Sequence, residues 1–268
     1  MTAPFVDIAD GHRLFVRDWG SGRPVLLLAG WAMDSRIWGA TMVALQAAGL
    51  RVTAYDRRGH GRSTDPGRID YDLLADDLAA VIETLDLNDL TLVAHSGASG
   101  EVIRYVTRHG AGRVGRIILV GATGPCMLAG ETNPNGVPRE GFEAVVAQIE
   151  TNLASWIEDN AQPFAPTAST RVINWLSTMV LDTSRRMAVD FQRVIGEADF
   201  RQEAAAIDVP VTIIHGDLDA SAPIDLTARR FAQIVPQADL LVYEGVAHGI
   251  MITDAQRLAG DIVAQSLR

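Results

Sequence analysis

Apolar positions along the chain fall into short unbroken runs, separated by longer segments with helical spacing. Pro24 to Leu28 (PVLLL) is one such run. A strand covered on both faces has no reason to alternate polar and apolar residues, so this run reads as a buried strand. Arg51 to Tyr55, Leu90 to Ala94, Arg116 to Val120, Pro210 to Ile214 and Leu240 to Tyr243 read the same way. Phe5 to Ile8 and Leu14 to Trp19 predict an opening hairpin that turns at Asp10-Gly11.

Helical segments lie between the runs. Ser35 to Ala48 follows Asp34, a favoured N-cap residue. Tyr71 to Leu85 carries Leu73, Leu74, Leu78, Val81, Ile82 and Leu85 at helical period. Gly97 to Arg108, Asp225 to Ile234 and Asp254 to Leu267 complete the set. Strand–helix alternation of this kind predicts an α/β fold with a doubly wound, mostly parallel eight-stranded sheet. Residues 126–207 break the rhythm. They show helical segments, such as Arg139 to Glu150 and Ser169 to Leu181, and no strand. The expected organisation is a core from residues 1–125 and 208–268, with a helical cap inserted at 126–207.

Composition removes several chemistries. All 23 basic residues are arginine. Without lysine there is no Schiff base, so pyridoxal phosphate enzymes and lysine aldolases are excluded. A Walker A phosphate loop and the protein kinases fall for the same reason. The net charge of −10 gives no basic face for nucleic acid. One cysteine, Cys126, permits no disulfide within the chain and no thiolate zinc site. Cys126 itself reads as a small buried hydrophobe. No targeting segment and no membrane-spanning run is present, which leads to the expectation of a cytoplasmic protein.

Ser96 sits where the Leu90 to Ala94 strand runs into the next helix, within Ala94-His95-Ser96-Gly97-Ala98. A nucleophile on such a bend needs small residues two positions to either side, and Ala94 and Ala98 supply them. A serine also needs a base and an acid that orients the base. His248 follows the last strand, and Asp219 follows the strand before it. The chain order Ser, Asp, His and the placement at strand carboxyl ends fit a nucleophile-elbow hydrolase. Asp217 is the competing carboxylate. The loop after Val120, Gly121-Ala122-Thr123-Gly124, offers no acid. The N–H groups of Gly97 and Trp31 are the expected oxyanion-hole donors.

Other features receive plainer readings. His60 braces a turn, and His95 points off the strand away from Ser96. His12, His109 and His215 lack metal spacing, and no HExxH occurs, so no metal or cofactor is expected. Ala32, Trp156, Trp175 and Met179 are candidate lining residues of an apolar substrate pocket. Gly110-Ala111-Gly112-Arg113-Val114-Gly115 matches G-x-G-x-x-G but follows a helix and precedes a strand, the reverse of a dinucleotide cradle.

From about Gly11 to Leu267 the chain resembles the cofactor-free bacterial haloperoxidases, perhydrolases and aryl esterases of the α/β-hydrolase fold. The resemblance rests on Gly30-Trp31, on Tyr55-Asp56-Arg57-Arg58-Gly59-His60-Gly61-Arg62-Ser63, on Ser99 to Tyr105, on Asn133-Pro134-Asn135-Gly136-Val137-Pro138, and on the Asp219 and His248 segments. It implies Ser96, Asp219 and His248 as a triad, with Trp31 and Gly97 as the oxyanion hole. It also implies a homo-oligomer. Ala29 replaces the family's histidine before Gly-Trp, and Ala32 replaces a proline associated with perhydrolase activity. Gly97 stands where relatives carry methionine, which predicts open space beside the nucleophile.

The reading is a serine hydrolase of small, largely apolar esters or lactones, with weak perhydrolase or haloperoxidase activity as a side reaction. Two other classes compete: a cofactor-free oxygenase, lyase or C–C hydrolase that uses His248 as base, and a non-catalytic binding module.

Overall fold

A computed structural model describes residues 4–268. Eight strands form one sheet: β1 (Phe5–Asp7), β2 (Arg13–Trp19), β3 (Pro24–Leu28), β4 (Arg51–Tyr55), β5 (Leu90–His95), β6 (Val114–Val120), β7 (Val211–Gly216) and β8 (Ala238–Tyr243). Their order is β1-β2-β4-β3-β5-β6-β7-β8. The first hairpin and the β2–β4 pair are antiparallel, and every other pairing is parallel. The sheet is therefore the predicted doubly wound one.

The unbroken apolar runs have a simple cause. In β3, Leu26 and Leu28 face a core shared with Leu78 and Ile82 of α2 (Tyr71–Thr84) and with Val102 of α3 (Ala98–His109). Val25 and Leu27 face the opposite core, with Met42 and Leu45 of α1 (Gly39–Ala47) and Leu258 and Ile262 of the C-terminal helix Ala255–Ser266. Both pleat faces are dry, so both must be apolar. Local signals also hold. Asp34 and Asp70 cap their segments through side-chain bonds to the N–H groups of Arg36 and Leu73, each contributing about 1 kcal/mol. The Ser35 segment starts as a single 3₁₀ turn and becomes α-helical only at Gly39.

Four helices lie between β6 and β7: α4 (Arg139–Phe164), α5 (Thr170–Asp182), α6 (Arg185–Glu197) and α7 (Arg201–Ala205). The predicted segment Arg139 to Glu150 is only the first half of α4, which kinks at Asn152 and continues. Phe142, Val146, Ile149 and Leu153 of α4 pack with Val180 of α5, Val189 of α6 and Ala32, a separate apolar cluster. Beyond them in the chain come α8 (Ala228–Ile234), α9 (Ile250–Thr253) and α10, the C-terminal helix already described.

Parallel register aligns the strand ends. Leu28 pairs with Ala94, Ala94 with Leu119, Val120 with Ile214, and Gly216 with Tyr243. The loops after β3, β5, β6, β7 and β8 therefore leave the sheet along one edge. That edge is where chemistry gathers in open α/β sheets.

Candidate active site

Ser96 occupies the bend between β5 and α3 with φ +56°. That left-handed conformation costs a residue with a Cβ about 1–2 kcal/mol. The surroundings hold it in place. The Ser96 N–H donates to the Val120 carbonyl at 3.0 Å, and its own carbonyl accepts from Ser99 at 3.0 Å. Ala94 and Ala98 are fully buried on either side. The loop after β3 crosses so close that a Cβ on Gly30 would stand 3.0 Å from Cβ of Ser96.

Ser96 Oγ lies 2.9 Å from Nε2 of His248. Nδ1 of His248 lies 2.6 Å from Oδ2 of Asp219. Asp219 Oδ1 accepts from the Ala222 N–H at 2.7 Å, and Nε2 of His215 stands 3.2 Å from Oδ2. Burial pushes the Asp219 carboxyl up, but the imidazoles of His248 and His215 outweigh it and hold the group well below the ordinary carboxylate range. Asp217, the competing carboxylate, is exposed and accepts from the Gly245 N–H at 2.6 Å, bracing a turn. Thr123, in the loop after β6, places Oγ1 3.1 Å from Ser96 Oγ.

His95 does not turn away from the site. Its Nε2 faces the His248 carbonyl at 3.2 Å, and the two rings lie 4.6 Å apart. Strand alternation does put it on the face opposite Ala94, but the loop bearing His248 folds over that same face. Burial, then the neighbouring His248, pushes His95 well below the usual imidazole range.

The turn after β4 does more than brace the sheet. Arg57 is fully buried and donates to the carbonyls of Ala29 (2.6 Å) and Gly30 (3.1 Å), just before Trp31. The same guanidinium pairs with Glu101 of α3 at 2.8 Å and stacks over Phe191 of α6, 4.7 Å from the ring centroid. Tyr55 donates to the other Glu101 oxygen. One cation thus ties the Trp31 loop to the helix behind Ser96. The N–H groups of Trp31 and Gly97 have no backbone acceptor among the described residues.

A cavity of about 410 Å³ opens onto Ser96 and His248. Trp31, Phe142, Trp156, Ile157, Phe164 and Ile195 form much of its apolar wall. Among the described residues its lining holds no arginine, aspartate or glutamate. Trp156 is placed as expected, edge-on to Trp31 at 4.9 Å. Three expected lining residues are not there. Ala32 is buried in the cluster under α4. Met179 is buried against the core, where its sulfur accepts from the Asp34 N–H at 3.5 Å, and Trp175 packs on that same core. Residues 175 and 179 form one stripe of α5, whereas Leu176 and Val180 form the adjacent stripe that meets the cavity. The open space expected at Gly97 is also absent. Ile195 fills it, its Cγ1 lying 2.9 Å from where a Cβ on residue 97 would begin. Cys126 is half-buried outside the cavity lining.

A sequence profile of the alpha/beta hydrolase fold matches residues 23–255. The chain is 38% identical to a non-heme chloroperoxidase of Kitasatospora aureofaciens, over 95% of each chain. It is 34% identical to a bifunctional esterase/perhydrolase of Acinetobacter calcoaceticus, over 97% of this chain and 98% of that one. Among solved structures, an esterase from Exiguobacterium antarcticum superposes with a TM-score of 0.95 at 25% identity, covering all of both chains. A bromoperoxidase from Bacillus anthracis superposes with a TM-score of 0.93 at 27% identity, over 98% of each.

Proposed function

The chain belongs to the α/β-hydrolase family that includes the non-heme haloperoxidases, perhydrolases and esterases, and on that premise we propose that it hydrolyses small, uncharged, largely apolar carboxylic esters or lactones through an acyl-enzyme on Ser96. The observation that carries this reading is the continuous contact from Ser96 Oγ through His248 to Asp219, opening onto an uncharged apolar cavity.

His248 takes the Ser96 proton as Oγ attacks the ester carbonyl. Asp219 fixes the tautomer that leaves Nε2 free and stabilises the imidazolium. The N–H groups of Gly97 and Trp31 receive the developing oxyanion. His248 returns its proton to the leaving alcohol, and water repeats the sequence to release the acid. An anionic acyl chain would lose its hydration without gaining a counter-ion in this lining, so neutral substrates are favoured.

Hydrolysis is favoured over peracid formation by the Trp31-Ala32 loop. Ala32 has φ +52°, a conformation that the proline of the perhydrolase-type loop does not adopt. The test is Ser96→Ala with an activated aryl ester and a fluorophosphonate probe. Turnover should fall at least about a thousandfold, and the probe should modify Ser96 in the unaltered protein only. An unlabelled Ser96 would favour chemistry in which His248 acts alone as base.

A further inference from the structure

Thr123 is not needed for a serine, histidine and aspartate to work together, yet its hydroxyl reaches the reacting oxygen. We propose that Thr123 is a further catalytic residue, donating a hydrogen bond to Ser96 Oγ that stabilises this oxygen as the leaving group when the acyl-enzyme is hydrolysed. The proposal rests on the reading of Ser96 as nucleophile.

The direction of the bond follows from proton counting. In the form competent to act as base His248 is a neutral imidazole; with Asp219 Oδ2 2.6 Å from Nδ1, that one proton sits on Nδ1 and Nε2 is a bare acceptor. The single Ser96 hydroxyl proton is therefore committed to Nε2, 2.9 Å away. Ser96 Oγ can then only accept from Thr123, and Thr123 Oγ1 at 3.1 Å must be the donor. The Thr123 backbone is held as well, because its N–H donates to the Ser96 carbonyl at 3.3 Å. The residue lines the same cavity as Ser96 and His248.

This bond matters differently in the two half-reactions. Before acylation Oγ is a hydroxyl oxygen and already a fair acceptor, so the bond exists in the ground state and gains modestly as the proton leaves. In the acyl-enzyme Oγ is an ester oxygen, a poor acceptor. When water adds to the acyl carbonyl and gives its proton to His248, the tetrahedral intermediate collapses by breaking the bond between carbon and Oγ. The electron pair moves onto Oγ, which takes the proton from Nε2. Charge builds on Oγ only as that bond breaks, and only then does the Thr123 bond become charge-assisted. Interactions that strengthen in the transition state are the ones that accelerate a step. Thr123 keeps its own proton throughout.

The experiment is rapid-mixing kinetics with a p-nitrophenyl ester of a short acyl chain, on unaltered protein, Thr123→Val and Thr123→Ser. Thr123→Ala serves as a second deletion. Fluorophosphonate titration counts intact sites in each. Removing the hydroxyl should slow steady-state turnover by about tenfold or more, the worth of a hydrogen bond to a developing charge. A nitrophenolate burst of about one per site should then appear, because acylation outpaces deacylation. Thr123→Ser should restore the original rate. Steady-state rates within twofold in both deletion variants, a slowing without a burst, or a serine variant as slow as the valine one would each overturn the proposal. Absence of labelling in the unaltered protein would instead overturn the assignment of Ser96.

Discussion

Ile195 of α6 occupies the volume that a side chain on Gly97 would need: its Cγ1 lies 2.9 Å from the site of the missing Cβ. The elbow and the helix above it are therefore fitted to each other. Gly97→Ala should force Ile195 into the cavity, costing about 1–3 kcal/mol of stability by overpacking and lowering kcat/KM on short-chain esters. Ile195→Ala should widen the cavity beside the nucleophile and shift preference toward longer or branched acyl chains. The double variant should recover much of the stability lost by Gly97→Ala relative to the Ile195→Ala background. An acyl-chain panel with thermal unfolding measures all three, and simple additivity would contradict the fit.

Arg57 joins structure to chemistry. Arg57→Met should leave Glu101 buried without its counter-ion, at a cost of about 3–5 kcal/mol. Adding Glu101→Gln should restore part of that stability. Ester turnover should stay low in the double variant, because the carbonyls of Ala29 and Gly30 would still lack the donors that fix the Trp31 loop. Melting temperature and kcat, measured together, separate the two effects. Recovery of both would reduce Arg57 to a structural ion pair.

His60 predicts an acid-side loss of stability. Burial, and then the charge of Arg57, pushes its imidazole down from 6.5 to about 3. Below pH 6.5 the unfolded chain takes up a proton that the folded chain refuses, so stability is complete above that pH and falls as the pH drops toward 3. Between pH 7.5 and 5 the loss attributable to this residue is about 2 kcal/mol. Denaturant titrations at both values should show a smaller pH-dependent difference for His60→Gln than for the unaltered protein. An identical difference would mean that His60 is not held neutral by the fold.

Ala32 offers a backbone test. Its φ of +52° lies outside the range of proline. Ala32→Pro should therefore distort the Trp31 loop, losing more than about 1 kcal/mol together with ester hydrolysis. A stable Ala32→Pro variant with raised peracid formation would show that the loop can be remodelled freely.

Much of this was legible in the residues. Two-sided burial makes β3 an unbroken apolar run and β4 to β7 predominantly apolar ones, and the alanines flanking Ser96 mark the bend, because both effects act between chain neighbours. Asp219 and His248 were legible through strand order, since parallel strands deliver their loops to one edge. What escaped depends on distant packing. Nothing near Gly97 announces Ile195, and nothing near Trp31 announces Arg57. Thr123 sits in a loop whose sequence, Gly121-Ala122-Thr123-Gly124, carries no titratable side chain to draw attention to it. The Trp175 and Met179 stripe lies one residue from the stripe that meets the cavity, and one residue along a helix turns the side chain by about 100°.

The uncharged lining bears on what happens after bond cleavage. On the proposed reaction, releasing an acid from a neutral ester would create a carboxylate in a chamber whose lining, among the described residues, holds no arginine, inside a chain that carries ten excess negative charges. Stranding that anion away from water is unfavourable, so on the proposed reaction the acid product should leave readily. An enzyme built this way should tolerate accumulating acid with little feedback inhibition, while the alcohol half, still neutral and greasy, becomes the slower of the two to depart.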